Sequence, residues 1–416
     1  MSDVTVPAVV GRRDAVGIAV ATGVSALGGY VALALAARTL SVADNTVFVT
    51  WWSVLFVVFG LLSGFSVEMT RAVAAARQDG SPSGAPTVRR VAAGVGLVTV
   101  VVCALTSPLW SRAVLPSGHG ALVVPVCVGA LAFAVHSGLV GALAGARRWK
   151  PYARLVGAEA LWRLLLVSLA ALLGLGLGGL AWASALGATA WVLVVVLSPA
   201  ARGAGRERTD ASAGVVVRRV AAATVASGAS AVLVVGYPSL IAATTPAAAF
   251  ATAAPLLLAV SLTRAPLMVP LNAFQGVAVA HFVAHQERGL RALAPIAAVV
   301  VGVGVVAAAL AALVGPWLMT FVFGPAYDVP GALLGVLTLA AVCLALLTLT
   351  GALCQALTRH RAFVAGWLAA SAAAVVVLMV PGGLEQRAVL GLVVGPVVGL
   401  VVHLVVLARV TRRAAA

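Results

Sequence analysis

Charged residues are scarce in this chain. Only 9% of its 416 residues are Asp, Glu, Lys or Arg, where a typical soluble domain carries about a quarter. Acidic residues number 11 against 27 basic ones, and Lys150 is the single lysine. The hydrophobic set makes up 62% of the chain, and 43 glycines add to it. This composition excludes a soluble globular enzyme and predicts a polypeptide whose main solvent is lipid.

Cysteine is equally rare, and no pair of cysteines has metal-ligand spacing. The four cysteines lie in apolar stretches at positions 103, 127, 343 and 354, and none forms a C-x-x-C pair. They are predicted to be packing residues. The sequence therefore indicates neither a disulfide framework nor a zinc site, and we expect no metal and no cofactor.

The net charge of +16 does not point to a nucleic-acid partner. Such a partner requires a basic face on a folded domain, whereas the basic residues here punctuate apolar runs, which is typical of membrane topology signals. The apolar run 15–37, which follows Arg12 and Arg13, is longer than the hydrophobic region of a cleaved signal peptide. It is predicted to be a retained first membrane helix.

Twelve apolar stretches are long enough to cross about 30 Å of hydrocarbon. They are 15–37, 46–67, 91–110, 121–144, 155–173, 177–198, 220–242, 249–269, 293–313, 331–351, 363–380 and 389–407. With the N-terminus in the cytoplasm, the cytoplasmic segments hold 22 basic residues, and the other side holds only Arg38, Arg112 and Arg387. Because cytoplasmic loops hold the positive charge, we expect a multi-pass protein of the cytoplasmic membrane with both termini cytoplasmic.

One region is long for a single crossing. Residues 246–285 are almost uncharged, and as straight helix they would measure about 60 Å. Two crossings here would place every later basic loop on the outside. We therefore expect one crossing with a kinked or interfacial extension, and Pro266 and Pro270 are positions where a helix can kink.

Landmarks recur at a spacing of 206 to 210 residues. Gly29-Tyr30 returns as Gly236-Tyr237, and the Gly-Ala-Leu string at 141–143 returns at 351–353. Because each half holds six crossings, the two copies insert in the same orientation as parallel repeats. We expect an all-α polytopic membrane protein with two six-helix bundles, 1–200 and 218–416, joined by a cytoplasmic linker, 201–217.

Several turns resemble those of polysaccharide flippases, the Wzx-like O-antigen and teichoic-acid exporters of the multidrug/oligosaccharidyl-lipid/polysaccharide exporter superfamily. The loop 68–80 does not match the Gly-x-x-x-Asp-Arg-x-Gly-Arg-like motif that major facilitator proteins usually carry after the second helix. Four stretches carry the resemblance: the hairpin 29–48 with its Ala-Arg-Thr-Leu-Ser turn, the helix exit 64–71, the basic joint 145–152 and the Phe-Val-Phe-Gly-Pro-Ala-Tyr turn at 321–327. Asn45-Thr46 departs from the pattern, which has an aromatic-glycine pair there.

The resemblance implies export of a polyprenyl-diphosphate-linked glycan by alternating access, with membrane lipids and a polymerase or ligase of the same pathway as partners. A cation-coupled multidrug exporter of the same superfamily is the alternative, but it needs buried carboxylates, and the crossings offer only Glu159, with Glu68 at an end. The outer loops are too short for a glycosyltransferase, so we expect no enzyme.

Two arginines lie within the predicted crossings, where charge is costly and usually functional. Glu159 and Arg163 are spaced four apart, and they form either a self-neutralising pair or a pair that presents Arg163 to an anionic substrate. Arg264 has no acid within a helical turn. It either binds the diphosphate of the substrate or extends to the cytoplasmic interface.

Other polar residues are weaker candidates. Asn272 and Gln275 follow Arg264 and form either part of the substrate site or an amphipathic interfacial segment. His136 either relays protons or is a satisfied interior histidine. Arg38 lies near the outer mouth and either selects sugar or phosphate or is an ordinary loop charge. We therefore assign Arg264, Arg163, Arg38, Asn272 and Gln275 to substrate binding, and Glu159 and His136 to coupling.

Overall fold

The computed structural model of the protein describes residues 12–284 and 293–415, and within these ranges it is all-helical apart from turns and one isolated bridge. Eleven helical segments in the described part are long and apolar enough to cross a membrane, and a further apolar helical stretch covers Ala254–Met268. The expectation of an all-α multi-pass membrane protein is confirmed.

The helices form two lobes. The N-terminal bundle contains α1 Arg12–Thr39, α2 Val42–Asp79, α3 Val88–Val114, α4 Val123–Gly145, α5 Trp149–Leu172, α6 Gly176–Leu186 and α7 Trp191–Leu197. After α8, Pro199–Ala204, the C-terminal bundle contains α9 Ala213–Val234, α10 Tyr237–Thr244, α11 Ala247–Phe250, α12 Ala254–Ala284, α13 Ala294–Phe323, α14 Gly331–Ala356, α15 His360–Leu378 and α16 Leu384–Ala415.

Two predicted crossings are divided in the structure. The sixth consists of α6 and α7 joined by a 3₁₀ turn, Gly187–Ala190. The seventh is broken between α9 and α10 at Gly236, which leaves carbonyl groups at the end of α9 without partners on their own helix. The long uncharged region contains the short α11 and then α12, which continues from Ala254 to Ala284 through Pro266 and Pro270.

The duplication is visible in the way that corresponding helices end. After α4, Arg147 takes a left-handed conformation with φ of 55°, and after α14, Thr358 does the same with φ of 56°. The next amide donates back to a carbonyl five residues earlier in both copies, Arg148 to Leu143 and Arg359 to Cys354, each at 2.8 Å. Since non-glycine residues rarely adopt this conformation, the shared helix end supports the two-lobed repeat.

The two bundles meet most closely along α2 and α9. Small residues alternate across this seam: Gly60 packs on Ala231, and Gly64 packs on the backbone of Ala223. A Cβ atom at position 64 would overlap the carbonyl oxygen of Ala223. In lipid, where the solvent is as apolar as the side chains, such close backbone approach is what holds helices together.

This contact predicts that Gly64→Ala destabilises the protein by about 1 to 3 kcal/mol, the usual cost of overpacking. Gly94→Ala is the matched control, because Gly94 lies in a helix with nothing within 4 Å of an added Cβ. Both variants replace a glycine within a helix by alanine, so the gain in helix propensity is the same for both. Thermal unfolding in detergent measures the difference, and equal melting temperatures for the two variants would contradict the tight seam.

Candidate functional site

Within the N-terminal bundle, Glu159 and Arg163 form an ion pair in the interior. Both lie on α5, they are 5% and 6% exposed, and Arg163 Nη2 donates to Glu159 Oε1. The Arg163 guanidinium carbon lies 5.0 Å and 5.6 Å from the ring centres of Phe56 and Phe59. The carboxylate and two aromatic faces therefore stabilise this buried cation.

An aromatic series surrounds this pair. Phe59 stacks on Phe133 with ring centres 4.0 Å apart, and Phe133 stacks on His136 at 5.3 Å. His136 is buried, and its Nδ1 has no hydrogen-bond partner among the described residues. The structure thus brings three of the predicted residues, Glu159, Arg163 and His136, into one cluster of the N-terminal bundle.

Arg264 lies apart from this cluster, in the C-terminal bundle. It is 6% exposed, and it extends from α12 to the break in the seventh crossing. Its Nη1 donates to the carbonyls of Leu233 and Val234 at 3.2 Å and 2.9 Å. These carbonyls end α9, so the cation lies at the negative end of a helix. In this conformation the side chain is buried inside the protein.

The rest of the Arg264 guanidinium is free within the described part of the chain. Nε and Nη2 are buried and make no hydrogen bond there. These two groups point to the same side of the planar guanidinium, where their N–H bonds form one fork that fits two oxygen atoms of a phosphate or carboxylate. Arg264 therefore presents an unused bidentate edge.

Two tyrosines flank Arg264, and sequence reasoning did not assign them to the site. The Tyr237 ring lies 5.1 Å from the guanidinium carbon, and the Tyr30 hydroxyl donates to the carbonyl of Ser261 on α12 at 3.2 Å. Both belong to the repeated Gly-Tyr landmark. The repeat itself was the signal that could have identified them, because equivalent positions of facing lobes meet at the interface.

Asn272 and Gln275 belong to α12, but the structure describes only their backbone and not their side chains. Their proposed part in substrate binding is therefore a prediction only. Among the described residues, no group of three His, Cys, Asp or Glu side chains is arranged to hold a metal ion.

Hydrogen bonds join the two bundles at the end that carries the α1–α2 turn, which the charge distribution predicts to be the outer side. Buried Asn45 donates to the Tyr327 hydroxyl at 2.8 Å, and Thr46 Oγ1 accepts from the amide of Ala254 at 2.9 Å. The Asn45-Thr46 pair, which departs from the flippase pattern, thus supplies inter-bundle contacts. We call these two bonds the outer latch.

Arg38 lies beside the outer latch. Its Nε donates to the carbonyl of Val322 at 3.1 Å, and its Nη2 donates to that of Phe321. These carbonyls end α13, so Arg38 caps a helix of the opposite bundle. The side chain remains exposed. The structure does not bring Arg38 together with Arg163 or Arg264 in one hydrogen-bonded cluster of described residues.

Ion pairs join the bundles at the opposite, predicted cytoplasmic end. Asp210 accepts from Arg71 of α2 at 2.9 Å and from Arg219 of α9 at 3.0 Å. The preceding residues pair with the N-terminal bundle, since the amide of Val88 donates to the carbonyl of Glu207 at 2.9 Å. The hydrogen bond from Arg71 is the main cause that lowers the pKa of Asp210 below the usual value of an aspartate.

The architecture is that of known transporters. The chain superposes with a TM-score of 0.70 on an inward-facing multidrug resistance MATE family transporter of the MOP superfamily, at 14% identity over 94% of this chain and 96% of the other. An outward-facing MATE transporter gives 0.64 at 16% identity over 96% of each chain. A MOP superfamily transporter from Pyrococcus furiosus gives 0.68 at 14% identity, over 95% of this chain and 96% of that one. The protein therefore has the fold of MOP superfamily transporters.

No family model matches the sequence. Proteins of mycobacteria are similar over most of its length. Rv1510 of Mycobacterium tuberculosis is 42% identical over 93% of this chain and 89% of its own length. Mb3654 of Mycobacterium bovis is 41% identical over 90% of this chain and 87% of its own length. The chain belongs to the family of these mycobacterial proteins, whose names assign them no activity.

The outer latch predicts that Asn45→Ala favours opening of the outer side. One lost hydrogen bond of about 1 kcal/mol raises the ratio of open to closed molecules about fivefold. Spin labels at the exposed positions Ser117 and Asp328, in a background without the four free cysteines, report this ratio by double electron–electron resonance. Tyr327→Phe removes the same bond, so the double variant should match either single one. Additive effects would contradict a shared bond.

The ion pairs of Asp210 predict a pH-dependent contribution to stability. Because its pKa is lower in the folded protein, the contribution is present above the pKa of the unfolded chain and is lost as the pH falls through the folded value. The melting temperature of wild type should exceed that of Asp210→Asn at neutral pH, and the gap should close in acid. Asp79→Asn, at the exposed end of α2, is the control and should show no gap. A gap that persists in acid would contradict this assignment.

Proposed function

We propose that this protein exports a polyprenyl-diphosphate-linked glycan across the cytoplasmic membrane by alternating access between its two bundles. The observation that carries the proposal is the unused Nε and Nη2 edge of buried Arg264. No covalent chemistry is required, because transport needs a binding site that is exposed to one side of the membrane at a time.

The balance of charge in the membrane interior supports an anionic substrate. The buried carboxylates of the described residues are Glu68 and Glu159, and both are paired, with Arg71 and Arg163. Arg264 has no carboxylate partner among the described residues and is held by carbonyls and an aromatic face. One uncompensated positive charge therefore remains, and an incoming anion would neutralise it.

The shape of the Arg264 site supports a phosphate group in particular. Nη1 is occupied by the carbonyls of Leu233 and Val234, and the Tyr237 ring covers one face of the guanidinium. What is left is a flat edge with two parallel donors, which matches two oxygen atoms of a phosphate. A diphosphate offers several such oxygen pairs, so it can bind without dislodging the cap on α9.

Other residues complete the proposed site. We assign Arg163 and Arg38 to later contacts along the route, and Asn272 and Gln275, which follow Arg264 on α12, to further substrate contacts. Glu159 and His136 are candidates for coupling, because a change of partner by Arg163 would release the Glu159 carboxylate. A polymerase or ligase of the same pathway would supply or receive the glycan.

A cation-coupled multidrug exporter is the second candidate. The MATE transporters that share the fold are named for multidrug resistance, and two stacked aromatic pairs, Trp52 with Phe56 and Phe59 with Phe133, offer rings for a flat organic cation. The Pyrococcus furiosus transporter is described by a reverse polarity of its binding pocket that suggests a different function. This description supports the view that one fold accommodates pockets of either charge.

The proposal predicts that a prenyl diphosphate stabilises the purified protein and that Arg264→Gln removes most of this effect. A ligand that binds only the folded state at 100 times its Kd adds about 2.7 kcal/mol. Thermal unfolding in detergent with farnesyl diphosphate, and separately with a lipophilic organic cation, measures it. Arg154→Gln, at an exposed arginine of α5, is the matched control for general electrostatic attraction.

Stabilisation by the diphosphate in wild type and Arg154→Gln, but not in Arg264→Gln, is the expected result. Stabilisation by the organic cation alone would overturn the glycan-lipid proposal and favour the multidrug candidate, with Glu159 as the residue to examine next. Equal stabilisation of all three proteins by the diphosphate would show binding that does not involve Arg264.

A further inference from the structure

A buried histidine in the C-terminal bundle has no part in the site described so far. His403 lies on α16 and is 0% exposed. Gly366 of α15 makes room for it, because a Cβ atom at that position would overlap the imidazole ring. The helices thus approach closely around this one side chain, and its nitrogen atoms face two different elements.

The two ring nitrogens have partners of different kinds. Nε2 lies 3.2 Å from the carbonyl oxygen of Phe363, which can only accept, so Nε2 carries a hydrogen. Nδ1 lies 3.0 Å from the hydroxyl of Thr350 on α14, which can either donate or accept. The protonation state of Nδ1 is therefore determined by the orientation of this hydroxyl.

The Thr350 hydroxyl has an alternative acceptor in its own helix, since its oxygen lies 2.9 Å from the carbonyl oxygen of Leu347. When the hydroxyl donates to Nδ1, the imidazole is neutral. When it donates to Leu347 instead, it can accept from a protonated Nδ1, and the ring is an imidazolium. Both states keep both ring nitrogens hydrogen-bonded, and only one hydroxyl hydrogen moves between them.

We propose that His403, Thr350 and the Phe363 carbonyl form a proton-binding site whose occupancy shifts the balance between the inward-facing and outward-facing forms. One proton adds to Nδ1 and the ring gains one positive charge, the Thr350 hydroxyl turns to donate to Leu347, and no other covalent bond is changed. His136 offers a weaker alternative, because its Nδ1 has no partner in the described part of the chain.

A route from this site to the transport machinery exists in the packing. Thr350 belongs to α14, which packs against both α16 and α12, and α12 carries Arg264. A change in the bond between α14 and α16 can therefore alter how α12 is held. This inference depends on alternating access but not on the identity of the substrate.

Few other ionisable groups bear on the site. On the helices that contact His403, the described ionisable side chains nearer to it are Cys354, one turn beyond Thr350 and buried, Cys343, two turns before Thr350, the exposed His360 and Arg361 at the start of α15, and Arg409 near the end of α16. Glu385 and Arg387 lie at the far end of α16. No described carboxylate makes an ion pair with His403, so the site's response to pH reports chiefly on its own hydrogen bonds.

Nitrogen-15 NMR of histidine-labelled protein in detergent tests proton binding directly. The resonance missing from His403→Gln assigns His403. We expect it to convert from neutral to imidazolium as the pH is lowered over the range in which the protein stays folded. A His403 resonance that stays neutral throughout, in protein that remains folded, would overturn the proposal.

Variants of Thr350 separate this site from a merely structural contact. Thr350→Val removes the acceptor of the protonated Nδ1, and because hydrogen bonds to charged groups are the stronger ones, the midpoint should move to lower pH by about one unit. Thr350→Ser keeps a hydroxyl and should restore the wild-type midpoint. Equal midpoints for Thr350→Val and wild type would contradict the role of the hydroxyl.

The conformational effect is measured with the spin labels at positions 117 and 328, without substrate. The ratio of open to closed outer sides should change at least threefold between about pH 8 and about pH 5 in wild type and in His360→Gln, the exposed control. His403→Gln should abolish this change. A change that survives in His403→Gln, or one that is lost in His136→Gln alone, would overturn the proposal.

Discussion

A polar group surrounded by hydrocarbon has to find its partner within the protein, and the rest of this structure depends on that constraint. Arg163 is held by a carboxylate and two aromatic faces. Arg264 is held by the carbonyls at a broken helix. The two arginines differ in their uncompensated charge. Glu159 neutralises Arg163, whereas Arg264 keeps its positive charge and two N–H groups without a partner in the described part of the chain.

The duplicated scaffold does not carry duplicated chemistry. Corresponding helices end with the same left-handed turn, and the repeated tyrosines, Tyr30 and Tyr237, both lie near Arg264. Yet the charged residues of the interior are not repeated: in the described part of the chain, the N-terminal bundle holds an ion pair and the C-terminal bundle holds a cation without a carboxylate partner. Repetition thus supplies two lobes of similar architecture, and divergence supplies one buried cation with unused donors.

The contacts between the lobes are of two kinds. Along α2 and α9, glycines pack against opposing backbone, and such contacts are lost unless the two helices remain close. At the ends, the bundles are joined by a few polar bonds, such as Asn45 with Tyr327 and Asp210 with Arg219. Hydrogen bonds and ion pairs of this kind contribute only about 1 kcal/mol each. The bonds at the ends are therefore the weaker of the two kinds of contact.

The sequence by itself determined the membrane class, the all-helical fold and the number of lobes. The length of each apolar run matches the thickness of the hydrocarbon core, and the repeat is visible as recurring residues. It also identified Arg163 and Arg264 as unusual, since charge in an apolar run is visible without a structure. The tertiary structure decided what those charges contact. It divided the seventh crossing, assigned Asn45 and Thr46 to the contact between the bundles and placed His403 beside Thr350. These partners are 50 or more residues apart in the chain, and only packing brings them within hydrogen-bond distance.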